Sequence, residues 1–75
     1  MKRTVKDLIE ECDGYECPSF NEINFYSDFD GRKLGEYNLW TKQLFNQNLL
    51  NKKVLYEKCK THIEGYITRE VVVEV

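Results

Sequence analysis

Asp30-Gly31 constrains this chain more than any other pair of neighbours, because it separates two runs of strand-forming composition. Asp-Gly supplies the positive backbone angles that a two-residue hairpin turn demands, so flanking apolar alternation makes it a strong hairpin signal. Before it, residues 20–29 (FNEINFYSDF) place Ile23, Phe25 and Phe29 on one side and Asn24 and Tyr26 on the other, which predicts a strand. After it, RKLGEYNL reads as the returning strand. Gly35 interrupts it, which suggests a sheet edge.

The remaining elements follow from the same patterns. Thr4 is placed to cap a helix, with Asp7 three residues on in the capping-box position. Val5, Leu8, Ile9 and Cys12 then share one helical face, and Asp13-Gly14 ends the helix. Asn38 is a second candidate cap, and residues 39–50 carry Trp40, Leu44, Phe45 and Leu49 at helical spacing, with Asn51 as the stop. KKVLYEKCKTH and GYITREVVVEV predict two further strands joined near residues 62–65. In the last, Ile67, Val71, Val73 and Val75 share a face opposite Tyr66, Thr68, Glu70, Val72 and Glu74, with Arg69 the exception. The expected order is α-β-β-α-β-β over residues 1–75: a single α+β domain with two short helices on an antiparallel sheet. A domain of 75 residues buries only about 60% of its unfolded surface. Such scaffolds often gain from a metal, a disulfide or a partner subunit.

The longest wholly apolar run is Val71-Val72-Val73, far short of a membrane span. The start, MKRTVKDLIEEC, lacks the apolar stretch of a signal peptide. Together with an odd cysteine count of 3, this predicts a reducing, cytoplasmic setting.

The net charge of −2 conceals an asymmetry: residues 7–31 hold eight acids and no Lys or Arg, whereas residues 32–62 hold seven bases against Glu36 and Glu57. Acids interleaved with aromatic rings can present carboxylates and flat faces together, as nucleic acid does to a basic groove, and a one-signed patch steers an opposite partner. Asp13, Tyr15, Glu16, Glu22, Tyr26, Asp28 and Asp30 are therefore the candidate partner-binding residues. The alternative is a solvated surface on which acids and bases from different segments pair. Overall acidity argues against direct binding of nucleic acid.

Cys12, Cys17, Cys59 and His62 form two pairs, C-x4-C and C-x2-H, which in number and type suit a structural zinc site. Against this, Cys12 fits the apolar face of the first helix, and Cys59 alternates as a strand core position would. The chain carries no dinucleotide, P-loop, nucleophile-elbow or zincin motif, so no enzyme activity is expected. Asp28 and Asp30 resemble the start of an EF-hand loop, but position twelve would be Leu39 where that loop needs Glu.

The opening TVKDLIEE, the segment LLNKKV and the valine-rich last strand resemble the short orphan proteins of phages and mobile elements in low-GC Gram-positive bacteria. That resemblance implies a small inhibitor of host defence, anti-CRISPR-like, acting on a host protein with a basic surface such as a CRISPR effector. Two other classes stay open: a zinc-stabilised interaction module, and an oligomeric protein that sequesters a nucleotide signal through Lys52, Lys53 and Tyr56. An exposed last strand would also permit a homodimer.

Overall fold

The computed structural model describes residues 3–13 and 21–75. Helix α1 (Val5–Asp13) precedes strands β1 (Glu22–Ser27), β2 (Lys33–Asn38), β3 (Gln43–Leu44), β4 (Val54–Thr61) and β5 (Ile67–Val73). A 3₁₀ turn, Gln47–Asn51, lies between β3 and β4, and a shorter one, Ile63–Gly65, between β4 and β5. The strands form one mixed sheet in the order β3-β2-β1-β5-β4. The domain is α+β, with a single α-helix among the described residues.

The capping box forms as its residues predict. Thr4 N–H donates to Asp7 Oδ2 at 3.0 Å, and Asp7 N–H donates to Thr4 Oγ1 at 3.3 Å. The Asp30-Gly31 hairpin also forms, though residues 28–32 join the strands in place of a two-residue turn and Asp30 does not take a positive φ. Gly31 sits at φ +74, its N–H donates to Ser27 O, and Ser27 N–H donates to Arg32 O. Phe29 lies at the tip of that turn and is 90% exposed, so it does not join Ile23 and Phe25 in the core.

Three expectations are corrected. Residues 39–50 form no α-helix: they give a turn, the two-residue β3 and the 3₁₀ turn. Asn38 caps the turn instead, its Oδ1 accepting from Trp40 N–H at 2.8 Å and Thr41 N–H at 3.3 Å. Lys42 takes φ +57, which ends any helical path, and Asn46 Oδ1 accepts from Asn48 N–H at 3.1 Å. Short polar side chains that bond the local backbone compete with a helix. Trp40 is left 80% exposed, while Leu49 alone of the expected helical set is fully buried.

The sheet, secondly, is not purely antiparallel. β1 runs parallel to β5, with Phe25 opposite Val71, while β1–β2, β2–β3 and β4–β5 are antiparallel. Residues 45–53 carry the chain from the β3 edge to the β4 edge across the face that α1 covers, so the β4–β5 hairpin returns from the far side and inserts β5 beside β1. Thirdly, the edges differ from those expected. β2 is flanked by β3, and the valine-rich β5 is interior, with Val71 and Val73 fully buried.

The core lies between α1 and one sheet face. Val5, Leu8, Ile9 and Cys12 from the helix meet Ile23, Phe25, Tyr37, Val71 and Val73, with Leu39, Leu49 and Val54 around them. Gly35 admits the 3₁₀ turn to this layer, because a Cβ there would stand 3.0 Å from Leu49 Cδ1 and 3.2 Å from Asn46 Cβ. No helix among the described residues is long and apolar enough to cross a membrane.

Candidate binding surface on the open sheet face

Strand alternation sends every second side chain away from α1. On β1 these are Glu22, Asn24 and Tyr26, and register sets them beside Thr68, Glu70 and Val72 of β5. On the β2 side they meet Asn38, Glu36 and Lys33. Beyond β5 come Lys60, Lys58 and Tyr56 of β4. The open face is thus a polar grid, with Glu36, Glu22 and Glu70 over β2, β1 and β5, Lys33 at one end of β2, and Lys58 and Lys60 along β4.

Hydrogen bonds knit its middle. Thr68 Oγ1 donates to Glu70 Oε1 at 3.3 Å. His62 Nε2 lies 2.9 Å from Thr68 Oγ1. Partial burial pushes the Tyr26 phenol up, and the charges of Glu70, Glu22 and Glu36 add to it. Partial burial likewise raises Tyr66, helped by the charges of Glu22 and Glu36.

Acceptors outnumber donors at the centre. Asn24 is only 6% exposed, and Asn24 Oδ1 and Glu70 Oε2, side by side in register, have no hydrogen-bond partner among the described residues. A buried acceptor without a donor costs about 1–3 kcal/mol, so this pair is a local cost that the fold carries at the centre of the sheet.

The structure separates the residues expected to bind a partner. Glu22 and Tyr26 share the open face. Asp28 and Asp30 are exposed in the adjoining β1–β2 turn but serve the backbone: Asp28 Oδ1 accepts from Val75 N–H at 3.1 Å and Asp30 Oδ1 from Arg32 N–H at 3.0 Å. The Arg32 amide, with the Ser27 hydroxyl and the Arg32 charge, holds the Asp30 carboxyl below its usual range. Asp13 closes α1, while Tyr15 and Glu16 lie outside the described residues. Elsewhere acids and bases pair across the fold: Arg3 bridges Glu11 and Glu57, Arg69 meets Glu57 at 3.2 Å, and Lys33 meets Glu36 at 3.3 Å. Of the acids in residues 7–31, Glu11 is the one these pairs engage.

Of the zinc candidates, Cys12 is buried in the core and Cys59 is exposed on β4. Cys59 Sγ lies 3.7 Å from Arg69 Nη2, on the α1 side of the sheet, whereas His62 bonds Thr68 on the other. Cys17 lies outside the described residues. Among the described residues no group of three His, Cys, Asp or Glu is placed to hold a metal. Lys52 and Lys53 line a groove with Asn51, Glu74 and Val75, while Tyr56 lines a different one.

Asn24, Glu36, Thr68, Glu70 and Tyr66 were not singled out by residue type. Strand alternation puts Asn24 with Tyr26 and Thr68 with Glu70, but only the parallel β1–β5 pairing makes them neighbours. The chain matches no protein-family model, no curated protein and no solved structure.

Proposed function

We propose that the protein is a non-catalytic binding protein that docks, one to one, on a basic surface of another protein through the carboxylate half of its open sheet face. The observation that carries this reading is the grouping of carboxylates: Glu22, Glu36 and Glu70 stand around Asn24 in register, and Asn24 Oδ1 and Glu70 Oε2 lack donors among the described residues. An arginine brings five N–H donors in a planar fork and suits such a row of oxygens. Glu22 and the exposed β1–β2 turn, with Phe29 at its tip, extend the same surface. A nucleic-acid-binding protein is the partner class this chemistry fits, with carboxylates taking the place of phosphates. Inhibition of a bacterial defence effector by a phage-encoded protein is the instance to which the sequence resemblance points.

A fluorescein-labelled arginine-rich peptide provides the test. Saturable one-to-one binding that weakens with salt, and a loss of roughly tenfold or more in Glu22→Lys/Glu36→Lys with unchanged thermal stability, is the expected result. No saturable binding, or a double variant that binds as well as the parent, overturns the reading.

A further inference from the structure

We infer that the β4 edge is a docking strand for an extended segment of another protein that carries carboxylates at alternating positions. Among the described residues the two edges of the sheet are unequal: β3 has 2 residues, whereas β4 has 8 and is outermost, with Thr4 bridging Lys53 and Arg3 O accepting from Val54 N–H only at its start. The His62 N–H donates to Tyr66 O at 2.7 Å, so residues 62 and 66 are a hydrogen-bonded pair of the β4–β5 ladder. Such pairs recur at every second residue of an antiparallel ladder. Lys60–Thr68, Lys58–Glu70 and Tyr56–Val72 are therefore the inward-bonded pairs, and Glu57, Cys59 and Thr61 turn their N–H and C=O groups outward. A row of outward backbone groups is a template for an added strand.

The side chains choose the occupant. On the open face, Tyr56, Lys58 and Lys60 are exposed, and neither lysine makes a hydrogen bond or ion pair among the described residues. They border an open groove of about 570 Å³ walled by Tyr26, Tyr56, Glu70 and Val72. On the other face the outward residues Cys59 and Thr61 are small and carry no charge.

A second copy of this chain fits poorly. Antiparallel self-pairing about a two-fold axis sets residues of one face opposite each other. The two registers of greatest overlap, centred on Glu57 and on Lys58, bring Glu57 against Glu57 or Lys58 against Lys58, and like charges directly opposite are destabilising. A strand with Asp or Glu opposite Lys58 and Lys60 reverses that sign. It would continue the row that runs Asn24, Glu70, Lys58 across the sheet with a further carboxylate. This edge is distinct from the carboxylate half of the open face, and its test reads different groups, so the two proposals stand or fall separately.

Amide hydrogen exchange on the full chain, read by nuclear magnetic resonance, tests it. The probes are a synthetic peptide of alternating Glu and Val and its counterpart with Lys in place of Glu. The Glu peptide is expected to slow exchange at Glu57, Cys59 and Thr61, while Tyr56, Lys58 and Lys60, already bonded to β5, change little. Lys58→Glu/Lys60→Glu should weaken the Glu peptide by roughly tenfold. Cys59→Pro removes an outward N–H that the β4–β5 ladder does not use and should abolish the added strand. The inference is overturned if the Glu peptide leaves the three outward amides unprotected, or if the Lys peptide protects them equally. It is also overturned if they are protected in the free protein until it is diluted, the mark of self-pairing.

Discussion

At the scale of single residues, Thr4 and Asp7 decide whether a helix as short as α1 begins where it does. Nine residues are too few to be helical alone in water, so the cap and the packed face must supply the stability together. Thr4→Ala leaves one helix-start donor without its acceptor and is expected to cost about 1 kcal/mol in urea unfolding. Asp7 accepts from the Thr4 backbone N–H and from its hydroxyl, and these bonds, the backbone one foremost, hold the carboxyl below its usual range. A depressed folded-state value means that the stabilisation is complete above the unfolded value of about 4 and is lost as pH falls through the folded one. Melting temperatures followed from neutral pH into that acid window should therefore drop less steeply in Asp7→Asn than in the parent. Asp30, depressed by its bond from the Arg32 amide, supplies a further share of the slope in both proteins. Parallel curves would show that the cap does not contribute to acid lability.

Among the elements, Gly35 shows how a residue that weakens a strand can be required by the layer above it. The 3₁₀ turn packs Leu49 and Asn46 against β2 at a point where any Cβ would crowd both. Leu49 is buried and cannot swing away, so Gly35→Ala is expected to destabilise by about 1–2 kcal/mol through overpacking, measured as a lower urea midpoint at unchanged slope. A neutral substitution would mean that the turn shifts freely on the sheet. The same site explains what could be read from the chain and what could not. Gly35 was legible as an interruption of β2, but its cause lies fourteen residues on, in a segment whose apolar spacing fits a helix equally well. Asn38, Asn46 and Lys42 diverted that segment by local bonding and a positive φ, which spacing does not register. The helix α1, the Asp30-Gly31 hairpin, β4 and β5 were legible because each is specified by its own residues. The parallel pairing of β1 with β5 was not, since it depends on where a crossover returns. The candidate surface inherited that limit: alternation identified which side chains face away from the core, and topology alone made Asn24 and Glu70 neighbours.

For the molecule as a whole, the fold concentrates its apolar burial on one side and leaves the other side polar even where it is closed to solvent. Asn24 occupies the middle strand at 6% exposure, yet its Oδ1 has no donor among the described residues. In a domain with so thin a core an unmatched acceptor is a measurable fraction of total stability. Leucine branches at Cγ as asparagine does and has no need for a donor, although its two methyls take more room than the amide, and it would sit between Glu36 and Glu70 in the register row. Removing a buried acceptor that has no donor relieves its desolvation cost, and functional surfaces commonly hold stability below its attainable level. Asn24→Leu is therefore expected to raise the unfolding free energy by about 1 kcal/mol while weakening the arginine-rich peptide, because the acceptor that lacked a donor in the free protein is the one a guanidinium would meet. Chemical unfolding and peptide titration on the same preparation read both effects. A variant that is destabilised and still binds would show that Asn24 is held by a donor in solution and belongs to the scaffold, which would move the binding surface away from the centre of the sheet and toward Glu22 and the β1–β2 turn.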